Sequence, residues 1–364
     1  MVRAPKLSML LALLLSSAAC VAQQPPGAAI PLSQVQLDES MLRVHFIDIG
    51  PGLAMLIETP SGLHYFVDGG MWGLADMQRY VEHFVPTTEP IDVVIVTHAD
   101  FDHYKGAHRI FQAYEVHEFW YTGYDSPELA PSWREFLRAV EDEDGCTNYT
   151  PLNKWVDVGA FETIDDGNTP ADDTDDVVVQ YLNIDSNPPA VDPISGRHFN
   201  EAQRRNNASL VFKLIYGDVS FLITGDINGR DIDHKDPSTD DEIDSEELEL
   251  WTRHKLSPDF SLQATVLQVP HHGSNGSVST RFVQAVDPTW AVIPAGHQVR
   301  FNHPSPHALR RLVAAGVDPD FILRTDEGDS TPETRTLKDP RGDDCYIFET
   351  DGTVITRVLR VRID

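Results

Sequence analysis

The chain has 364 residues, of which 41% are hydrophobic. This length and composition allow a substantial buried core and exclude a largely disordered protein. Acidic residues outnumber basic ones by 57 to 28, so the formal net charge at pH 7 is −29. Because tight binding to duplex DNA depends on lysines and arginines that neutralise phosphates, this charge argues against such binding and favours a highly soluble protein.

The first segment has the layout of an export signal. Two basic residues precede the apolar stretch LSMLLALLLSSAAC, which is too short for a comfortable membrane span. We expect a signal peptide over residues 1–22 and an exported protein, either secreted or periplasmic. Cys20 resembles the cysteine that is lipidated in bacterial lipoproteins, and an ordinary cleavage near Ala19 or Ala22 is the alternative. Any membrane contact would be confined to such a lipid anchor.

A polar segment separates this signal from the folded body. Residues 23–40, which begin QQPPGAAIPLSQ, predict a flexible tether in front of a single domain over residues 41–364. Cys146 and Cys345 are far apart in the sequence, and their spacing leaves open whether they form a disulfide.

The first half of the body alternates strand-like and helix-like segments. The runs LRVHFIDIG and LAMLIETPSGLHYFVDGG predict strands, with a hairpin turn at Pro60-Ser61-Gly62. A further strand is predicted over residues 91–97, and helices are predicted over residues 76–85, 105–114 and 133–141. The polar stretch 165–176 and the acidic run 231–247 predict solvated insertions on the surface.

The second half repeats this pattern. The stretch SLVFKLIYGDVSFLITGD predicts two strands joined at Gly217-Asp218, and VLQVPHHGS and TWAVIPAG predict two more. Helices are predicted over residues 280–286 and 305–315, and a last hairpin turns at residues 351–352. Strand-rich halves that are each followed by helices predict an α/β (α+β) fold with two sheets packed face to face and helices outside.

Residues of the types that bind metals follow three of the apolar runs. The turn IVTHADFDHYKG carries four of them: His98, Asp100, Asp102 and His103. FLITGD ends at Asp226, and VLQVPHH ends at His271 and His272. A single aspartate after a strand is usually a turn or cap residue. Because imidazole nitrogens and carboxylate oxygens suit zinc, manganese and iron, the three clusters together predict a metal centre.

The order of these motifs resembles the metallo-β-lactamase superfamily, whose signature turn reads HxHxDH. Here the turn reads HADFDH, with Asp100 in place of the second histidine. This variant is similar to the extracellular hydrolase domain of the competence protein ComEC and its stand-alone secreted relatives. The stretches HFIDIGPG, VDGG, NNASLVFKLIYGDVSFLITGD, VPHHGSNGS and FNHPSP follow in the same order, over about residues 42–325. The resemblance implies a four-layer αββα sandwich with two divalent ions, zinc or manganese, at the mouth between the sheets.

The resemblance also implies a ligand set, carried over by position. The residues expected around the first ion are His98, Asp100 and Asp226. The residues expected around the second ion are Asp102, His103, His272 and the shared Asp226. We prefer His272 to His271 because the family's ligand histidine commonly lies two places before a serine.

Further residues are expected around these ligands. Asp68 would orient a ligand histidine through its other ring nitrogen. Asn206 or Asn207 stands where many members of the family have another histidine, which weakens the ligand set of the first ion. The sequence Gly50-Pro51-Gly52-Leu53 replaces the family's GQGD, so a leucine stands where an aspartate is usual near the site mouth.

Two groups of residues are expected to act on the substrate. Asp102 and His303 are the predicted catalytic residues, and His303 or Arg300 would grip a phosphate or protonate the leaving oxygen. Arg204 and Arg205 are second candidates for the phosphate contact.

These expectations describe an exported hydrolase that activates water with a dinuclear centre. The resemblance implies a phosphodiester substrate, and the charge of −29 favours a small molecule or a short oligonucleotide over duplex DNA. Two alternatives stay open. One is an enzyme that hydrolyses a carboxylic ester, a lactone or a phosphocholine-type ester, and the other is a non-catalytic binding protein that retains the fold.

Overall fold

The computed structural model describes residues 23–128, 131–142, 146, 150–154, 156–167, 175–193, 196–230, 241–296, 303–326 and 344–364. The predicted signal segment with Cys20, and also Arg300, lie outside these residues. Within the described residues, no helix is both long and apolar enough to span a membrane.

Two mixed sheets are formed by the described residues. The eight strands of the first sheet are, in spatial order, β1 (Ile30–Pro31), β15 (Ile355–Arg362), β14 (Cys345–Thr350), β2 (Leu42–Phe46), β3 (Ala54–Glu58), β4 (His64–Asp68), β5 (Ile91–Ile95) and β6 (Val116–Trp120). The seven strands of the second sheet are β13 (Ile322–Arg324), β12 (Trp290–Ile293), β11 (Val266–Gln268), β10 (Val219–Ile223), β9 (Val211–Tyr216), β8 (Val177–Asn183) and β7 (Phe161–Asp165).

Helices cover the outer faces of both sheets. Those within the described residues are α1 (Leu74–Phe84), α2 (Phe101–Ala113), α3 (Pro131–Glu141), α4 (Glu201–Asn207), α5 (Ser245–Leu256), α6 (Thr280–Val286) and α7 (Pro306–Ala315). One apolar cluster fills the space between the sheets, a second lies between the first sheet and α1–α3, and a third lies between the second sheet and α5–α7. The predicted four-layer αββα sandwich is therefore confirmed.

The alternation of side chains explains how each strand contributes to two layers. In β3, Met55 and Ile57 belong to the cluster between the sheets, whereas Ala54 and Leu56 belong to the cluster under the helices. Successive side chains of a strand point to opposite faces, so a run that is apolar throughout is buried on both sides. This explains why the strands read as continuous apolar runs in the sequence.

The N-terminal part of the described chain is more ordered than expected for a tether. Ile30 and Pro31 pair in parallel with Val361 and Arg362, and Leu32 is buried. The prediction of a flexible tether therefore does not hold for these residues, because their backbone completes the edge of the first sheet. Cys345 is buried and its sulfur accepts a hydrogen bond from the N–H of Asp48; no disulfide joins it to Cys146.

The predicted solvated insertion over residues 231–247 is wrong at its C-terminal end. Residues 241–247 lie within the described chain, and α5 begins among them. Glu246 and Glu247 are buried, and the Glu247 carboxylate accepts hydrogen bonds from the backbone N–H groups of Val278, at 2.5 Å, and Ser279, at 2.8 Å. An acidic run that the sequence predicts to be solvated thus ends in buried hydrogen bonds that join α5 to the loop before α6.

Helix α2 and strand β4 approach each other at two glycines. A Cβ atom on Gly106 would lie 2.0 Å from the carbonyl oxygen of Gly69, which is backbone and cannot move aside. The N–H of Gly106 also donates to the carbonyl of Gly70 at 3.0 Å. This contact fixes the start of α2, and the His98–His103 turn with it, against the end of β4.

We predict that Gly106→Ala lowers the free energy of unfolding by about 2–3 kcal/mol, because the added methyl group forces α2 away from β4. Urea denaturation would measure the change. Gly27→Ala is the control, since no atom lies within 4 Å of a Cβ built on Gly27. Equal stability of the two variants would contradict the close contact.

We predict that Glu247 makes stability fall as the pH rises. Burial, opposed by its hydrogen bonds with Ser279 and Val278, raises the pKa of Glu247 from 4.5 to about 7. A raised pKa means that the folded state holds its proton longer than the unfolded state. The stabilising contribution is therefore complete below pH 4.5 and is lost as the pH rises through 7, a change of about 3 kcal/mol.

The measurement compares urea unfolding of the wild type and of Glu247→Gln between pH 4.5 and 7.5. The variant cannot titrate at this position, so the wild type should lose stability relative to it across that window. Glu249→Gln, an exposed change on the same helix, is the control. A constant difference between wild type and Glu247→Gln would show that Glu247 does not titrate there.

Candidate metal centre

Strands from both sheets end at one mouth, and the predicted ligands follow these ends. Strands β4 and β5 are parallel, as are β10 and β11, so their carboxyl ends align within each sheet. The side chains at or just after these four ends are Asp68, His98, Asp226 and His272. The N–H of Leu210 donates to the carbonyl of Thr97 at 2.8 Å and links the second sheet to the loop after β5.

Asp68 organises the side of the centre that belongs to the first sheet. Its carboxylate is fully buried and accepts hydrogen bonds from the N–H of Thr97, at 2.7 Å, and from its hydroxyl, at 2.8 Å. It also accepts from Nδ1 of His103 at 2.7 Å. Since a carboxylate can only accept, Nδ1 of His103 carries the proton and Nε2 is left to bind a metal.

His272 is fixed in an analogous way from the second sheet. Its Nδ1 donates to the carbonyl of Pro294 at 2.7 Å, which leaves Nε2 facing the cluster. His271 and His272 both have positive φ angles, of 49° and 53°. Residues other than glycine rarely adopt a positive φ angle, and those that do cluster at functional sites. The tight turn after β11 therefore has a costly backbone that aims two imidazoles at the mouth.

The imidazoles converge on Asp226. Its Oδ2 lies 3.1 Å from Nε2 of His272, 3.3 Å from Nε2 of His103 and 3.9 Å from Nε2 of His271. Metal-binding atoms within 4.8 Å of one another are offered by two groups of residues: His98, His103 and Asp226, and Asp102, His103 and His272. His103 thus belongs to both groups.

Four buried atoms of this cluster make no hydrogen bond with any described residue. They are Nε2 of His98, His103 and His272, and Oδ1 of Asp226. A buried polar atom without a partner costs roughly 1–3 kcal/mol, so four at one point require an explanation. Imidazole nitrogen and carboxylate oxygen are donors for divalent transition metals. The residues present therefore fit a metal centre.

Charge within the cluster is strongly coupled. Burial opposes ionisation of Asp226, but the imidazoles of His272 and His103 outweigh it and hold the pKa of Asp226 well below its usual value. Burial also disfavours the charged form of His103, yet Asp226 and Asp68 raise its pKa well above 6.5. Burial and the charge of His103 lower the pKa of His98 well below 6.5. The imidazoles thus favour an ionised Asp226, whose negative charge would attract a cation.

Asp100 is held apart from the two groups by an arginine. Arg205, on α4, donates through Nε to Asp100 Oδ1, while Oδ2 of Asp100 lies 4.0 Å from Nε2 of His98. Burial raises the pKa of Asp100 and the adjacent Arg205 opposes that shift. Asp100 therefore lies close to His98 but outside both groups, and Arg205 already engages one of its carboxylate oxygens.

The two asparagines have different roles. Asn206 lines the cavity over the metal cluster, and its Nδ2 lies 3.4 Å from Nδ1 of His271. Asn207 instead accepts a hydrogen bond from Nδ2 of Asn228 at 2.7 Å. Asn206 is thus the one of the pair that faces the site.

A cavity of about 500 Å³ opens over the cluster. Its walls include Asp102, His271, His303 and Arg230. Burial, with His271 and His272 nearby, lowers the pKa of His303 to about 3. A neutral His303 can form hydrogen bonds with a substrate, but this pKa does not favour the predicted transfer of a proton to the leaving oxygen at neutral pH.

Three expectations about the mouth differ from the structure. Leu53 is fully buried in the cluster between the sheets and does not line the cavity. Arg204 is engaged with Glu201, at 2.6 Å, and with the carbonyl of Pro188. Neither Arg204 nor Arg205 lines the cavity. Arg205 is directed by Asp100, a partner distant in sequence, whereas Glu201 is only three residues from Arg204 on the same helix.

Sequence reasoning missed Arg230. It is only 1% exposed and lies in the cavity wall, four residues after Asp226 on the loop that follows β10. Among the described residues that line this cavity, it is the one arginine or lysine. The sequence could have pointed to Arg230 through its place on the same loop as Asp226, a predicted ligand.

Comparisons with known proteins agree with this geometry. The family described as "Metallo-beta-lactamase superfamily" matches residues 47–297, more than half of the chain. The chain is 27% identical to "ComE operon protein 3" of Bacillus subtilis (strain 168) over 304 residues, which are 78% of this chain and 32% of that protein. It is 30% identical to "Competence protein ComA" of Neisseria gonorrhoeae over 121 residues, which are 33% of this chain and 14% of that protein. The chain thus spans about a third or less of these relatives.

Solved structures with similar folds were also found. CmlA, a diiron beta-hydroxylase from Streptomyces venezuelae, is 12% identical with a TM-score of 0.41, and the match covers 80% of this chain and 53% of CmlA. MEM-A1, a subclass B3 metallo-beta-lactamase from a soil metagenome library, is 12% identical with a TM-score of 0.36, and the match covers 69% of this chain and 94% of MEM-A1.

We predict that Asp68→Asn weakens metal binding roughly 10- to 100-fold, because an amide cannot accept from both Thr97 and the His103 ring while holding the same tautomer. Competition with a chromophoric chelator would measure the affinity. Asp92→Asn, which changes a carboxylate near the other end of β5, is the control. Unchanged affinity in a folded Asp68→Asn protein would rule out this orienting role.

Proposed function

Because this chain belongs to the metallo-β-lactamase superfamily, we propose that it is a metal-dependent hydrolase that cleaves phosphodiesters in small molecules or short oligonucleotides. The observation that carries the proposal is the convergence of four buried, unpaired donor atoms below an open cavity. Bound divalent ions would supply an activated water and stabilise negative charge on the attacked group. The ligands we propose are His98, Asp100 and Asp226 for the first ion, and Asp102, His103, His272 and Asp226 for the second.

The charge around the cavity supports an anionic substrate. The carboxylates of Asp68, Asp100, Asp102 and Asp226 are opposed by Arg205 and Arg230, and two divalent ions would add four positive charges. Among the described residues, four negative charges and six positive ones, the two ions included, leave a surplus of about two positive charges at the mouth. An anion would therefore be attracted locally even though the chain carries a net charge of −29.

The shape of the cavity supports a small substrate. Its volume of about 500 Å³ lies within the range of small-molecule pockets, roughly 300–1,000 Å³. The chain's own residues would then bind and orient the substrate. The guanidinium of Arg230 adds positive charge to the cavity wall, and neutral His303 would offer a ring N–H or an acceptor nitrogen.

We further propose that the protein acts outside the cytoplasm. This rests on the export-signal layout of residues 1–22, with a lipid on Cys20 as the alternative form of attachment. Tight binding to duplex DNA is not part of the proposal, because the net charge opposes it.

We predict that activity depends on a divalent ion and on the converging ligands. Protein stripped with a chelator should be inactive and should recover when single divalent ions are added back. His98→Ala and Asp226→Ala should each lower hydrolysis of bis(p-nitrophenyl) phosphate roughly 100-fold or more, because each removes a proposed ligand. His83→Ala, an exposed change on α1, should keep full activity.

The substrate panel separates the alternatives. It contains bis(p-nitrophenyl) phosphate, single-stranded DNA, an acyl lactone and a choline phosphodiester. Turnover of the lactone alone would replace the phosphodiesterase proposal with the ester-hydrolase alternative. A folded protein that carries no near-stoichiometric metal and cleaves nothing would favour the binding-protein alternative.

A further inference from the structure

Arg205 and Asp100 form an ion pair that joins the two halves of the site. Asp100 lies on the turn after β5 of the first sheet, and Arg205 lies on α4, which precedes β9 of the second sheet. The guanidinium Nε donates to Oδ1 of Asp100. The side chain of Asp100 is 25% exposed and that of Arg205 is 17% exposed, so water and salt screen their attraction weakly. We therefore expect this pair to be stronger than an ion pair at the surface.

Helix α4 holds Arg205 firmly in this contact. At the start of the helix, Asn200 and Gln203 form a capping box, in which each side chain accepts from the backbone N–H of the other at 2.9 and 3.0 Å. At its end, the carbonyl of Asn207 accepts from the side chain of Asn183 at 3.0 Å. A short helix that is fixed at both ends leaves the backbone of Arg205 little freedom to move with its partner.

The ion pair restrains Asp100 as a ligand of the first ion. Two atoms that bind one zinc ion at about 2.1 Å lie roughly 3.4 Å apart in tetrahedral geometry. Oδ2 of Asp100 lies 4.0 Å from Nε2 of His98, and Asp100 is not a member of the group that His98 forms with His103 and Asp226. Asp100 would therefore have to shift in order to bind the same ion as His98, while Arg205 holds its other carboxylate oxygen.

The charge of Arg205 acts on the same ion position. Arg205 and His98 line one narrow space next to the turn, so the guanidinium lies on the His98 side of the centre. A fixed positive charge close to a divalent cation opposes its binding. Arg205 therefore weakens the first position in two ways, by holding Asp100 and by electrostatic repulsion.

The second ion position has no equivalent restraint. Oδ2 of Asp102 lies 3.8 Å from Nε2 of His272, and both residues belong to the group that includes His103. Among the residues that the structure describes, no arginine or lysine forms an ion pair with Asp102. The two positions thus differ in how readily their carboxylate can reach an ion.

From these contacts we propose that Arg205 is a positioning residue that makes the first ion position the weaker of the two. The inference rests on the metal centre of the proposed function and adds how that centre is filled. One ion would be held tightly by Asp102, His103, His272 and Asp226. The other would exchange with the surroundings, so that full occupancy, and activity with it, would follow the supply of divalent ions.

Metal binding measured in the absence of substrate tests the proposal. The full-length protein is stripped of metal, and Zn²⁺ and Mn²⁺ are titrated separately in competition with a chromophoric chelator. We expect the wild type to bind two ions with dissociation constants that differ roughly 100-fold. Arg205→Gln should tighten the weaker site roughly 10- to 100-fold and leave the tighter site nearly unchanged. A folding defect could not produce such a gain in affinity.

Two matched variants separate the ion pair from other effects. Arg204→Gln removes the same charge from the neighbouring position, where the side chain contacts Glu201 instead of Asp100, and should change both affinities by less than about threefold. In an Asp100→Asn background, the further change Arg205→Gln should tighten the weaker site much less, because only the electrostatic repulsion is left to remove. Thermal unfolding of each variant checks that the protein is folded.

The outcomes are distinguishable. Two sites of equal affinity in the wild type, or a weaker site that Arg205→Gln leaves unchanged or weakens further, would show that the inference is wrong while the metal centre stands. If both ions bind as expected but no substrate of the panel is cleaved, the inference stands and the phosphodiesterase proposal fails. If the wild type binds neither Zn²⁺ nor Mn²⁺, the metal centre fails, and the inference fails with it.

Discussion

The buried carboxylate of Asp226 needs positive charge, and the rest of the site is arranged to provide it. Asp226 follows the end of β10 at the mouth, with Nε2 of His272 and of His103 at 3.1 and 3.3 Å. Those rings are themselves fixed by Asp68 on one sheet and by the carbonyl of Pro294 on the other. A buried anion without a nearby positive charge is costly. The contacts of Asp226 with these two rings therefore favour the relative position of the two sheets that brings the rings together.

The departure from the family's signature turn is balanced by charge elsewhere in the chain. Asp100 adds a carboxylate where the signature has a neutral imidazole, and Arg205, 105 positions away in sequence, adds a guanidinium in contact with it. The substitution therefore leaves the local charge of the site nearly unchanged. What it alters is the kind of atom available at this position for the proposed first ion, since an oxygen replaces a nitrogen.

Much of the fold could be predicted from the sequence, because strands buried on both faces and hairpin turns have local signatures; the turns at Pro60-Ser61-Gly62 and Gly217-Asp218 join paired strands as expected. The convergence of the proposed ligands could also be predicted, since they follow the ends of apolar runs. Three features could not be predicted, because each depends on contacts between distant segments: the burial of Leu53, the ion pair of Arg205 with Asp100, and the burial of Glu247. Sequence pattern identifies which residues are polar, not which of them find buried partners.

The contact between Gly69 and Gly106 has a consequence for how the site can adapt to different ions. Backbone meets backbone at this point, with no side chain between Gly69 and Gly106, so the half of the centre contributed by the first sheet has little freedom to expand or contract there. Asp226 and His272 lie on loops of the opposite sheet, beyond this contact. A difference in ionic radius would therefore have to be accommodated at Asp226 and His272 on the side of the second sheet, and substitutions that tune metal preference should be sought there.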